Sequence, residues 1–241
     1  ILSGYGGFNI SRTPAYFPGV AAWVEAGGLF ALPNLRGGGE YGERWHRAGM
    51  LDKKQNVFDD FHAAAEALVA QGWTSATRLG ISGGSNGGLL TGAALTQRPE
   101  LFAAVYCAVP LLDMLRYQNF LIARFWIAEY GTAEDAKQYR WLHAYSPYHH
   151  VRANLRYPAV LFTTAEGDSR VDPMHARKMA ALMQAATAQD PDACVLLRVE
   201  RDAGHGVGKP LDKQVEDLAD QYSFFTSRLG LEVPSAMLGS R

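Results

Sequence analysis

Six residues, Gly83-Gly84-Ser85-Asn86-Gly87-Gly88, constrain this chain more than any others. They follow a run, Arg78–Ser82, that reads as a strand, and they open a stretch, Gly87–Gln97, that reads as a helix. Within them lies Gly-x-Ser-x-Gly. So sharp a turn from strand to helix forces the serine into strained backbone angles. Its neighbours must lack Cβ atoms to avoid collision. The hydroxyl then projects at the carboxyl edge of a sheet, with the first N–H groups of the helix behind it. That is the geometry of a nucleophile elbow. Glycine-rich turns can also be plain turns or phosphate cradles. No Lys-Ser or Lys-Thr follows, so a P-loop fails, and the strand before and helix after favour the nucleophile.

The rest of the chain supplies a sheet for such an elbow. Apolar runs alternate with helical periods, the pattern of a mostly parallel sheet with helices on both faces. The predicted strands are Gly28–Asn34, Arg78–Ser82, Ala103–Val109, Ala159–Thr164 and Cys194–Val199. Helical spacing marks Val57–Ala70, Met174–Ala188 and Gln214–Leu229. Between two strands lies an aromatic-rich, mostly helical insertion, Asp113–Tyr148, which either caps a pocket or adds packing. The fold class is therefore α/β, of the α/β-hydrolase type, in one domain over residues 1–241. Ile1 opens a segment that already looks like the end of a strand, as expected of a fragment or processed product.

Composition narrows the function classes. The charge sum, 23 basic against 24 acidic residues, is −1 and offers no field for nucleic acid or an anionic membrane. No apolar run reaches the roughly 18 residues that span a bilayer, and no signal peptide is visible. The two cysteines, Cys107 and Cys194, cannot build a disulfide scaffold or a four-thiolate metal site. Both sit in apolar runs and read as buried thiols, which suits a reducing, cytoplasmic compartment.

An elbow serine needs a base, and the base needs an orienting acid, in the chain order Ser, acid, His. His205, in Asp202-Ala203-Gly204-His205-Gly206, follows the last predicted strand and is the candidate base. His143, His149 and His150 fall in the insertion as surface or packing residues, and His175 sits near a helix start, where capping is the plain role. Asp168 follows the strand Ala159–Thr164 and is the candidate acid, where it would hold the imidazole tautomer. Asp113, one strand earlier, competes with it. Asp172 reads as a helix cap, and Asp202 as a residue that fixes its own loop.

These residues sit inside longer motifs. Gly4-Tyr5-Gly6-Gly7-Phe8-Asn9-Ile10-Ser11, Asn34-Leu35-Arg36-Gly37-Gly38-Gly39-Glu40-Tyr41-Gly42, Lys54-Gln55-Asn56-Val57-Phe58-Asp59-Asp60-Phe61, Gly83–Gly88 and Ala203-Gly204-His205-Gly206 occur in this order. Together they resemble the catalytic domain of the prolyl oligopeptidase (prolyl endopeptidase) family of serine peptidases, from about Tyr5 to about Leu229. The resemblance implies a triad of Ser85, Asp168 and His205. It implies an oxyanion hole made by the Asn86 backbone N–H and the Tyr5 phenol. By itself Tyr5 reads as a satisfied tyrosine at a sheet edge. The resemblance also assigns Trp126 to stack on a substrate proline ring, lined by Phe8, Leu111, Tyr130 and Val171, and Arg170 to bind a neighbouring peptide carbonyl. Read alone, Trp126 is a core residue and Arg170 a surface ion pair. Leu111 stands where valine is usual, a conservative departure.

The family also carries a β-propeller and an N-terminal segment that completes the sheet; neither is in these residues, and the propeller is an expected partner. The sequence thus reads as a serine endopeptidase domain that cuts short peptides after proline through an acyl-enzyme. No metal or organic cofactor is implied. The rivals are a relative that cuts after basic residues or removes dipeptides, an esterase, and a non-catalytic scaffold. Trp126, Leu111 and Val171 offer no carboxylate for a basic side chain. An intact Ser, Asp and His argue against the scaffold.

Overall fold

The computed structural model describes residues 1–201, 204–205 and 210–234. In chain order the regular elements are β1 (Leu2–Ser3), α1 (Pro18–Glu25), α2 (Glu43–Arg47), α3 (Gln55–Ala70), β2 (Gly80–Gly84), α4 (Asn86–Gln97), β3 (Ala104–Ala108), α5 (Ile127–Tyr130), α6 (Ala136–Tyr145), β4 (Ala159–Ala165), α7 (Met174–Ala186), β5 (Val195–Glu200) and α8 (Leu211–Leu229). The five strands form one sheet in the order β1-β2-β3-β4-β5, and every pair is parallel. Parallel strands need crossovers, and helices supply them here, which leaves the sheet covered on both sides.

Alternation along each strand splits the interior into two cores. Val105, Cys107, Val160 and Phe162 face the larger core with Phe58 and Phe61 of α3, Leu89 and Leu90 of α4, and Met179 and Met183 of α7. Ala104 and Leu161 face the smaller core with Trp23 of α1 and Phe224, Phe225 and Leu229 of α8. Each large side chain buried this fully stabilises the fold by roughly 1.5–3 kcal/mol. Because all strands run the same way, their carboxyl ends lie along one edge. In an open α/β sheet that edge is where loops can converge on a ligand.

Two sequence expectations need correction, and a third is refined. Gly28–Asn34 is not a strand; it forms a single parallel bridge, Ala31 with Leu2, closed by Ser3 N–H to Ala31 O at 2.9 Å and Ala31 N–H to Ile1 O at 2.8 Å. Among the described residues the strand it bridges is the two-residue β1, and Pro33 has no N–H to extend the ladder. Cys194 is half-buried rather than buried, whereas Cys107 is fully enclosed. The insertion Asp113–Tyr148 is a chain of short 3-10 turns with α5 and α6, and it both packs and reaches the site. Its Tyr117 and Tyr130 are fully buried in the larger core, while Trp126 lies half-exposed.

Candidate active site

The Gly83–Gly88 turn links β2 to α4 as its composition requires. Ser85 has φ 58° and ψ −118°, outside the regions that L-residues favour. Its N–H donates to Ala108 O at 2.9 Å, tying the turn to the end of β3. A Cβ on Gly83 would lie 2.1 Å from Gly87 O, and one on Gly87 would lie 2.7 Å from Gly4 O. Neither backbone can give way, so glycine is obligatory at both positions.

Asp168 and His205 come from the loops after β4 and β5. His205 Nδ1 lies 2.7 Å from Asp168 Oδ2, with the Asp168 side chain wholly buried. Asp168 Oδ1 accepts from the backbone N–H of Arg170 at 2.8 Å and of Val171 at 2.9 Å. Burial alone would raise the carboxyl pKa. The hydrogen bonds from His205, Val171 and Arg170 outweigh it, and the group sits below its usual value. A carboxylate on Nδ1 places the proton there and leaves Nε2 as the basic nitrogen. His205 lines the same recess as Ala108 and Val109, beside the strand end that holds Ser85. Asp202, Ala203 and Gly206 lie outside the described residues.

Tyr5 approaches from the loop after β1. Burial raises its pKa, partly opposed by the nearby Ser85 side chain, so the phenol stays protonated at neutral pH. Asn86 is the first residue of α4, where backbone N–H groups have no acceptor within the helix. Its side chain is clamped between two tyrosines. Nδ2 donates to Tyr5 O at 2.5 Å, and Oδ1 accepts from Tyr130 Oη at 2.7 Å. The serine, a phenol and a helix N-terminus are therefore neighbours, the kinds of group that acyl transfer requires.

Three of the residues assigned to a proline pocket, Phe8, Trp126 and Tyr130, lie together. Phe8 stands edge-on to Trp126 at 6.3 Å and to Tyr130 at 5.5 Å between ring centres. Leu111, Tyr130 and Val171 are buried, Phe8 and Trp126 half-buried, and Arg170 exposed. The competing residues are engaged elsewhere. Asp113 Oδ2 meets Lys178 Nζ at 2.5 Å and Arg116 at 3.0 Å. His175 does not cap its helix. It is buried, and its Nδ1 accepts from the N–H of Asp113 at 3.1 Å and of Leu112 at 3.3 Å. Asp172 does cap, accepting from Met174 N–H at 2.8 Å. His149 and His150 each bond to Ser146. Among the described residues no group of three His, Cys, Asp or Glu side chains is placed to hold a metal ion.

Sequence reasoning missed a buried polar group beside Tyr5. Glu129 Oε1 accepts from Phe8 N–H at 3.0 Å and lies 3.5 Å from Lys54 Nζ, and Oε2 meets His46 Nε2 at 2.9 Å. Lys54 also donates to Gly6 O at 3.0 Å. Lys54 stands in one of the quoted motifs, but nothing there marks it as buried.

Comparison with known proteins bears on this geometry. The model of the prolyl oligopeptidase family matches residues 15–232. The chain belongs to that family. It is 47% identical to a prolyl endopeptidase of Elizabethkingia miricola over 96% of its own length and 33% of that protein's. A prolyl oligopeptidase of Omphalotus olearius is 43% identical over 95% of the chain and 31% of the relative. Among solved structures, one from a study of two prolyl endopeptidases has a TM-score of 0.91 at 57% identity, covering 96% of this chain and 34% of that one. Prolyl oligopeptidase B of Galerina marginata, bound to a hydrolysis and macrocyclisation substrate, has a TM-score of 0.92 at 38% identity, covering 97% and 33%. Nearly the whole of this chain thus shares the α/β-hydrolase sheet of those prolyl oligopeptidases. The chain spans about a third of the length of the relatives it matches.

Proposed function

We propose that this chain is the catalytic portion of a serine peptidase that hydrolyses short peptides on the carboxyl side of proline. The Asp168–His205 pair at 2.7 Å, beside a serine held at φ 58°, carries the reading. Ser85 attacks the scissile carbonyl while His205 Nε2 takes its proton, and Asp168 stabilises the imidazolium. The oxyanion forms between the Tyr5 phenol and the Asn86 N–H. His205 returns the proton to the leaving amine, and water then releases the acyl group by the same route. Trp126, Phe8, Leu111, Tyr130 and Val171 form an apolar slot for a pyrrolidine ring, and Arg170 binds the adjoining carbonyl. Prolyl endopeptidases among the relatives support the substrate class. Their length, about three times that of this chain, agrees with a further β-propeller domain that limits access to short peptides.

The test is hydrolysis of matched blocked fluorogenic dipeptides ending in proline, alanine or arginine by the full-length protein, with a phosphonate probe directed at serine. Strong preference for proline and labelling of Ser85 are expected. Cleavage after arginine alone discards the pocket, and absence of labelling discards the nucleophile.

A further inference from the structure

The Tyr5 loop is held in a conformation it would not adopt alone. Phe8 and Asn9 both have φ of 57°, a left-handed conformation costly for non-glycine residues. Such strain persists only where the surroundings over-determine the backbone. Three buried contacts do so here. Asn86 Nδ2 holds Tyr5 O, Lys54 Nζ holds Gly6 O, and Glu129 Oε1 holds Phe8 N–H. Glu129 is central, because its carboxylate also faces Lys54 and His46. It stands on α5, whose N-cap is Trp126. One carboxylate therefore joins the loop that carries the phenol to the turn that carries the indole.

Stability alone is a poor account of this arrangement. Glu129 is 5% and Lys54 1% exposed, and taking both charges from water costs about as much as their attraction returns. Apolar residues of the same volume would serve packing as well. What they could not do is hold a strained N–H at a fixed place.

We infer that Glu129 is a positioning residue that sets the Tyr5 phenol against the oxyanion by fixing the strained Phe8 backbone. The inference rests on the proposed peptidase site. It acts through Tyr5, and Glu129 touches no reacting atom.

The experiment is a double-mutant cycle in the full-length protein with a blocked Gly-Pro fluorogenic substrate. Glu129→Gln removes the charge. Glu129→Asp keeps the charge for Lys54, and so the fold, but is one methylene too short to reach Phe8 N–H and His46 together. Each is made with Tyr5 and with Tyr5→Phe, and thermal melting checks folding. Misplacement of a catalytic group by about 1 Å can cost roughly a hundredfold, so a partial shift should lower kcat about tenfold with KM within about twofold. With Tyr5→Phe the same substitutions should cost less than about threefold, because the group they position is gone. Unchanged kcat, or an equal loss in both backgrounds, overturns the inference. Should Glu129→Gln fail to fold, Glu129→Asp decides alone. If phosphonate fails to label Ser85 in the unsubstituted protein, the site reading falls first and the inference falls with it.

Discussion

Two imidazoles lie close to aspartates that follow the sheet's strands, one against a carboxylate and one against a backbone, and their chemistry diverges. After β4 and β5, Asp168 faces His205 directly at 2.7 Å, and the imidazole keeps one nitrogen for other work. After β3, Asp113 is taken up by Lys178 and Arg116, while His175, on α7 after β4, spends Nδ1 on two backbone N–H groups. Burial lowers the His175 pKa to about 4, so at neutral pH that ring is neutral and already committed. Position at a strand end thus admits a residue to the site but does not equip it. A base needs a partner that stabilises its protonated form. Asp168 touches His205 directly, whereas at His175 burial outweighs the pull of Asp113 and Asp172.

The sharpest way to break this comparison is to remove the nucleophile or the base. Ser85→Ala or His205→Ala should lower kcat by at least about 10⁴-fold while thermal melting holds, as expected of residues that act as a unit. Activity of Ser85→Ala near that of the parent would end the nucleophile assignment. The two acids come next. Asp168→Asn should lower kcat about 10⁴-fold by releasing the wrong tautomer. Asp113→Asn should cost less than about tenfold, because Asp113 meets Lys178 and Arg116 rather than the base. The reverse order, read by steady-state kinetics, would exchange their roles.

A smaller effect separates the two histidines by pH. The His175 pKa is lower when folded than when unfolded, so the unfolded chain binds the extra proton between pH 6.5 and about 4. Its stability contribution is therefore complete above pH 6.5 and is lost as pH falls toward 4. The loss is on the order of 3 kcal/mol across that window. Urea denaturation should show His175→Gln, which keeps an acceptor for the two N–H groups, with a flatter profile there. Equal slopes would refute the buried neutral ring. Smallest is the pocket. Trp126→Ala should cut the preference for proline over alanine by about ten- to a hundredfold, the scale of an apolar specificity contact. An unchanged preference would remove its stacking role.

Local constraints were the legible ones. The elbow could be read because two glycines there are demanded by backbone atoms within the same turn or its immediate neighbour. The strand Ala159–Thr164 was found within one residue of β4, since a strand covered on both faces must be a continuous apolar run. Gly28–Asn34 has the same apolar character but forms only one bridge, because β1 beside it is two residues long and Pro33 has no N–H to extend the ladder. Glu129 was invisible for another reason. In Ile127-Ala128-Glu129-Tyr130 a lone acid reads as a solvated face, and Lys54 differs from Lys53 only after folding, when one is buried and the other is not. His175 was misread likewise, since a capping position and a backbone-clamping position look the same in one dimension.

The parallel sheet has a temporal consequence. Tyr5 comes from the loop after the first strand, Ser85 from the second, and His205 from beyond the fifth. A ribosome releases them in that order at roughly 5–20 residues per second. The nucleophile is therefore made well before its base. No shorter nascent chain contains all three, and the proposed site can close only once β5 has taken its place at the edge of the sheet.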